Sequence, residues 1–483
     1  MLDLVIVLIA LGLLIWFAFK GITLIILGPA AALLAAAATG DLPVLGAFTQ
    51  IFMTNTGSFI VSFFPLFLLG AIFGKLMDDS GAAKALAEAV SERLGPERAI
   101  VSVVLCCGAL TYGGVSAFVV AFAIFPVAAA LFRTADIPKR LIPGALSLGA
   151  FTFTMSALPG SPAIQNAIPM PFFGTTSFAA PGLGVVAAAI MFALGILWLN
   201  RRAASARAAG EGYGAHEDNL PVPERGLREC AQGGGFDIRE LEDHPEAASQ
   251  PSAFIALLPV VLVIVTNFAF TTFVIPAMDT AYLAEPLFGA TSIEAVRGVW
   301  SVIVALFTAI LVLIATNWRR LTDLRASLDG GANASVLPIF NTASLVGFGA
   351  VIAALPVFAM ISEAILDVTG GNPLLSVAAS VTALSAMTGS ASGGMSIALE
   401  ALGPTLVGMA NAAGVSLEAM HRVTALASGT LDVLPHSGAV ITLLAVCKLS
   451  HRESYGDVFM VCCVAPMLAL VAVIAIASVV GSF

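Results

Sequence analysis

The feature that most constrains this chain is a series of apolar runs, each about twenty residues long and nearly free of charge. A helix needs about twenty apolar residues to cross the hydrocarbon core of a bilayer. The runs fall at about 2–19, 22–39, 58–77, 141–165, 181–199, 253–275, 298–316, 345–366, 418–447 and 458–480. Only 11% of the 483 residues are Asp, Glu, Lys or Arg, against about 25% in soluble domains. Such a chain is not a soluble enzyme or a disordered protein. It has no basic patch to meet phosphates, so nucleic acid is excluded as a partner. An outer-membrane barrel would show short alternating segments instead. The expected fold is an all-α polytopic membrane protein with the lipid bilayer as its solvent.

Charge is concentrated elsewhere. Six Arg and ten Asp or Glu lie between Arg201 and Glu246. The polar, Gly- and Pro-containing stretch 200–252 therefore reads as a cytoplasmic linker between two halves, 1–199 and 253–483. Met1 to Phe19 is apolar with Lys20 behind it. A cleaved leader carries its positive charge in front, so this stretch reads as a retained first span. Cys106, Cys107, Cys447, Cys462 and Cys463 lie in apolar runs and read as small hydrophobes, with Cys230 in the linker. No metal-ligand spacing occurs, and no cofactor is expected.

Two further apolar stretches, about 99–131 and 374–406, are too long for single spans. Each is interrupted by small residues: Thr111-Tyr112-Gly113-Gly114 in one, Thr388 to Gly394 in the other. Both read as re-entrant hairpins, whose tips at membrane depth must be buried in protein or line a wet cavity. Pro126 and Pro404 are expected to end the returning arms. Positive charges support this layout. With the N-terminus outside, Lys20, Lys75, Lys84, Arg93, Arg98, Arg133, Lys139, Arg140, Arg201, Arg202, Arg207, Arg319, Arg320, Arg325, Lys448 and Arg452 all fall inside. Reading either long stretch as one span moves later clusters to the wrong side.

The halves also resemble each other. Leu158-Pro159-Gly160-Ser161-Pro162 echoes Leu434-Pro435-His436-Ser437-Gly438, and Phe64-Pro65-Leu66-Phe67 echoes Leu355-Pro356-Val357-Phe358. The first half carries an extra amphipathic piece at about 80–98. Each half then has five spans and one hairpin, and the halves enter the membrane from opposite sides. Such inverted repeats with discontinuous helices at the midplane mark secondary transporters.

Pro159 and Pro435 predict breaks in the spans at about 141–170 and 418–447, since Pro removes a donor and clashes with the preceding turn. A broken helix leaves an N-terminal half whose free N–H groups and dipole favour an anion. No Lys or Arg is expected near either break. The candidate substrate-binding residues are Ser156, Gly160, Ser161, Gln165 and Asn166 in the first break, and Thr430, Ser437 and Gly438 in the second. The hairpin tips add Thr111, Gly113, Gly114 and Ser116, with Thr388, Gly389, Ser390 and Ser392. Asp432 and His436 flank Pro435 and are the candidate proton-coupling residues. A carboxylate at the bilayer centre is costly and a functional candidate, and an imidazole titrates near neutrality. His436 is read as the sole His well inside a span. Glu363 and Glu400 are weaker candidates, each near a water-facing end.

At these residues the chain resembles the gluconate permease family, within the wider ion-transporter superfamily. The resemblance covers most of the chain outside 200–252. It is strongest at Gly144 to Asn166 and at Ser428 to Lys448. It implies uptake of small hydroxy or amino monocarboxylates, usually with protons. It also implies a homodimer, a scaffold with a mobile transport domain, an elevator-like motion, and a cell (inner) membrane location. The first break, Ser156 to Pro162, has no His, and the second has Asp and His rearranged around Pro435. A smaller, less hydroxylated carboxylate than gluconate suits that more apolar break. The rival readings are a sodium-coupled carrier of the same fold and a cation/proton antiporter. An intramembrane enzyme finds support only in Ser437 beside His436, and adjacent helical residues do not face each other.

Overall fold

The fold is described from a computed structural model, in which residues 2–20, 22–216, 218, 249–360 and 369–483 are described. Most of the linker, with Cys230, and the weak candidate Glu363 lie outside these residues. The described residues form helices and connecting turns, with no strand among them. Six helices are long and apolar enough to cross a membrane, and shorter apolar helices accompany them.

The first half opens with α1 (Leu2–Phe19) and α2 (Leu24–Thr39). Thr23 caps α2 at its start and Gly40 ends it in the left-handed conformation. Next comes α3 (Val44–Asp79), then the amphipathic α4 (Ala82–Leu94). The chain bends by 106° between α4 and the helix beginning at Pro96. The first hairpin is α5 (Ala99–Tyr112) and α6 (Ala117–Thr134). After it, α7 (Ile142–Ala150) and a turn at Phe153–Ser156 lead into non-helical backbone. Helix resumes briefly at Ile164–Ala167 and Pro169–Phe173, and α8 (Pro181–Ala208) closes the half.

The second half runs in a similar order, without a counterpart of α4 among the described residues. It has α9 (Ala253–Ala277), α10 (Ile293–Asn317) and α11 (Leu324–Ala353). The second hairpin is α12 (Pro373–Thr388) and α13 (Ala391–Ala413). Then come α14 (Leu417–Ser428), non-helical backbone, α15 (Gly438–Val446) and α16 (His451–Val480).

Packing repeats as well. The long helices α3 and α11 run against each other at the centre, while α2 lies on α11 and α10 lies on α3. The first arm of each hairpin packs on the first part of the following broken helix, α5 on α7 and α12 on α14. The closing helices α8 and α16 pack on one another. Small residues permit the central contact. A Cβ on Gly331 would lie 2.7 Å from Ile72 Cα, so α11 touches the α3 backbone there.

Three expectations about boundaries are corrected. The span expected at 345–366 is instead α11, Leu324–Ala353. Its first turns hold Arg325, Asp329, Gly330, Gly331 and Asn333. They look like a loop by hydropathy because Arg325, Asp329 and Asn333 are polar and exposed, while Gly331 packs on α3. Pro126 and Pro404 lie inside α6 and α13 instead of ending them. Neighbouring helices and local adjustment tolerate a proline in such surroundings. Pro65 lies within α3, whereas Pro356 falls beyond the end of α11, whose internal proline is Pro338. The pairing of Phe64–Phe67 with Leu355–Phe358 therefore does not match equivalent places in the two helices.

Candidate functional site

Each proline-marked segment is unwound. Residues 157–163 and 429–437 carry no helix, and Gly160 takes a φ of 78° that favours glycine. Side-chain hydrogen bonds tie each hairpin to its break, Thr382 to Thr430 at 3.2 Å among them. Tyr112 of the first hairpin donates its hydroxyl to Pro159 O at 2.6 Å. Ser437 of the second break donates to Gly389 O at 3.0 Å. The sequence folds this way because unwound carbonyls in a dry interior need donors.

Between these elements lies a cavity of about 270 Å³, bordered by both tips, both breaks and the facing stretches of α3 and α11. That is about nine water volumes, just below the roughly 300–1,000 Å³ of drug-sized sites. It suits a small solute. Of the residues singled out from the sequence, Thr111, Gly114, Ser116, Gln165, Gly389, Ser390, Ser392, Asp432 and Ser437 line it. The other nine do not. Gly113, Ser156, Gly160, Ser161, Asn166, Thr388, Thr430, His436 and Gly438 lie outside the lining.

Their contacts say what they do. Ser156, Gly160, Ser161 and Asn166 belong to a buried network behind the first break: Gly160 N donates to Ser177 O, and Asn166 Nδ2 donates to Ser161 O at 3.0 Å and Ser177 O at 2.9 Å. Thr388 donates to Leu384 O within its own helical turn, and Thr430, in the unwound segment, donates back to Ala427 O and meets Thr382 Oγ1 of the second hairpin at 3.2 Å. The His436 ring lies against the second tip, where a Cβ on Gly389 would come within 3.1 Å of its Cδ2. The weak candidate Glu400 lies along α13 and is not in the lining.

Three helices begin at the cavity wall: α6 behind Ser116, α13 behind Ser390 and α15 behind Ser437. Their first turns direct N–H groups and positive dipole ends to that region, with Gly393 N of α13 bonded to Ser390 Oγ. Asp432 is the one ionisable residue of the lining; it is 7% exposed, and its Oδ1 has no hydrogen-bond partner. A wall of leucine, phenylalanine, valine and methionine completes the cavity, with Phe67, Val115 and Met155 among them.

Two sequence expectations fail at the breaks. Arg422 is fully buried and donates to Ser156 O and Asn166 Oδ1 at 3.3 and 3.1 Å, so a cation does stand beside the first break. His421 is fully buried too, its Nδ1 2.6 Å from Thr175 Oγ1, so His436 is not the sole deep histidine. One signal of it is present in the sequence: an Arg more than one turn inside an apolar span. Sequence reasoning also missed Ser335, Asn341 and Thr342 of α11, which line the cavity. Their helix begins at Leu324, ahead of the apolar run at 345–366.

Fold and site together define a polytopic membrane transporter, with a small-solute cavity at the centre of an all-helical body. No family model matches the chain. Over 485 residues, spanning 99% of both proteins, it is 43% identical to the "Uncharacterized transporter YxjC" of Bacillus subtilis (strain 168). The chain belongs to the transporter family of that protein. Its fold resembles the crystal structure of the Alcanivorax borkumensis YdaH transporter, described as having an unusual topology. The TM-score is 0.52 at 15% identity, over 89% of this chain and 86% of that one. Both relatives are named as transporters and not as enzymes.

Proposed function

We propose that the protein is a secondary active symporter that imports a small organic monocarboxylate, such as a hydroxy acid, through the cell (inner) membrane with protons. The reading keeps the resemblance to gluconate permeases, the inverted repeat, the homodimer and the elevator-like motion as parts of the proposal. Matching packing in the two halves supports the repeat. The observation that carries the transport step is the cavity itself: three helix N-termini border it, and Asp432, a buried carboxylate, is the one ionisable residue of its lining.

The electrostatics then couple anion to proton. The substrate carboxylate rests on the helix N-termini and the hydroxyls of Ser116, Ser390 and Ser392. An ionised Asp432 beside it repels it by about 4 kcal/mol at 4 Å in a medium of effective dielectric 20. A proton on Asp432 removes that repulsion, so anion and proton load together. Asp432 carries the proton, and His436 acts on the second hairpin tip from outside the lining.

The experiment has two stages. A thermal-shift screen of the purified protein against small carboxylates, with and without sodium, identifies the solute, since a ligand of the folded form raises the melting point. Uptake of that solute into proteoliposomes then compares the parent with Asp432→Asn. The variant is expected to lose accumulation driven by a proton gradient and to keep exchange of internal for external solute. Accumulation equal to the parent sinks the assignment of Asp432. Accumulation that stops when choline replaces sodium favours the sodium-coupled carrier instead.

A further inference from the structure

Arg422 is completely buried, and the proposed transport step does not use it. It stands on α14, the first part of the second broken helix, yet the oxygens it donates to belong to the first half of the chain. Its Nε and Nη2 reach Ala179 O at 3.1 and 2.8 Å. Its Nη1 reaches Ser156 O at 3.3 Å and Asn166 Oδ1 at 3.1 Å, and Nη2 reaches Ser177 O at 3.4 Å. Ser156 lies just before the first break, Asn166 just after it, and Ser177 and Ala179 in the loop leading to α8. One side chain therefore spans the break from end to end.

The chemistry fits that task. Unwinding 157–163 strips carbonyls of helical partners where no lipid can replace them. A guanidinium offers five donors in a flat fork and holds its charge. An ammonium has three donors at a single point, so it cannot reach four oxygens spread around a plane. Gly184 on α8 leaves room for the fork. A Cβ there would lie 2.4 Å from Ala157 O and 3.2 Å from Arg422 Nε. His421, the residue before, adds a second tie through Thr175 and Asn166.

We propose that Arg422 is a positioning residue for the transport cavity. From the second half it fixes the first break, so the two breaks form one body. The wall that carries Gln165 thereby keeps its place against the wall that carries Asp432. Arg422 itself lies outside the lining and acts through Asn166 and the carbonyls of Ser156, Ser177 and Ala179.

The test needs no knowledge of the substrate. In full-length protein carrying Cys230→Ser, a reporter is placed at one wall by Gln165→Cys or at the opposite tip by Ser392→Cys. The rate of modification by N-ethylmaleimide is measured in proteoliposomes for each reporter. Adding Arg422→Lys is expected to change the rate at position 165 by about tenfold and that at 392 by less than about twofold, because charge-assisted bonds are lost at one wall alone. Arg422→Gln puts a planar amide with two donors in place of the five-donor fork. It should give the same pattern, and it carries the test if Arg422→Lys does not fold. Equal changes at both reporters reveal a general loosening and overturn the proposal. No change at either reporter overturns it too.

Discussion

The second hairpin offers the sharpest test of how this fold is held, at Gly394. This residue lies in the first turn of α13, where the two arms of the hairpin touch. A Cβ built there would stand 2.2 Å from Ser385 N, 2.3 Å from Ser385 Cα and 2.5 Å from Leu384 C. All three are backbone atoms, so no side chain can turn aside. Ordinary contact starts near 3.4 Å, and 3.4 − 2.2 gives a forced separation of 1.2 Å between the arms. Overpacking of this kind costs about 1–3 kcal/mol. Replacing a mid-helix glycine by alanine returns about 1 kcal/mol. The expected net loss for Gly394→Ala is therefore up to about 2 kcal/mol. The control is Gly408→Ala on the same helix, where nothing lies within 4 Å of the new methyl. There the propensity gain stands alone, at about 0.5–1 kcal/mol of added stability. Thermal melting of the two full-length variants in the same detergent should move in opposite directions. Gly394 also lies four residues from Ser390 in the tip, so solute affinity should fall in that variant and hold in the control. If Gly394→Ala melts at or above the parent, the close approach of the arms is not as described and the reasoning fails.

Two predictions concern the face where α8 leaves the body. Asp457 of α16 is 3% exposed and accepts from Trp198 Nε1 and Arg202 Nε, each at 2.9 Å, and from Arg140 Nη1 at 3.3 Å. Asp457→Ala should cost about 2 kcal/mol, discounted from the larger cost of breaking a buried pair because the Arg202 side chain is 39% exposed; an unchanged melting point contradicts this. Beyond α8, Glu211 accepts two bonds from Arg140, at 2.7 and 2.9 Å. Those bonds hold its carboxyl below the usual glutamate value of 4.5. A carboxyl lowered in the folded state contributes fully above its ordinary value and loses that contribution as pH falls through the lowered one. Hydrogen exchange across 209–216, corrected for intrinsic rates, should show protection at neutral pH that fades below pH 4.5. Protection that persists in stronger acid, or an effect equal in Glu211→Gln, runs against that account.

Much of the fold could be read from the chain, for a physical reason. Lipid imposes a length and a composition on each span that faces it, and α8, α9, α10 and α16 carry both. Residues that break a helix are local signals too. Pro159 with Gly160, and Pro435 with Ser437, mark stretches that carry no helix, and the small residues near 113 and 389 lie at hairpin turns. What could not be read depends on protein partners. The first half of α11 joins an exposed polar face, with Asp329 and Asn333, to glycines such as Gly331 that pack on the α3 backbone, and neither carries the mark of lipid, so a helix was hidden there. Arg422 is paired with oxygens 243 to 266 positions away. No local pattern announces such a pairing. The division of the candidate residues follows the same line. Serines at helix starts line the cavity, whereas Asn166 and Ser156 were claimed by Arg422. Thr388 bonds to a carbonyl of its own turn, as threonine in a helix commonly does, and Thr430 bonds back to Ala427 O at the end of α14.

The central claim is that both breaks and both hairpin tips serve one solute in one cavity. Protection from N-ethylmaleimide tests it most directly, with Gln165→Cys reporting from the first half and Ser392→Cys from the second. A single small carboxylate taken from the melting screen should slow modification at both positions, with one common half-saturating concentration. Protection at one position alone, or at two widely different concentrations, would mean that the halves do not share a site.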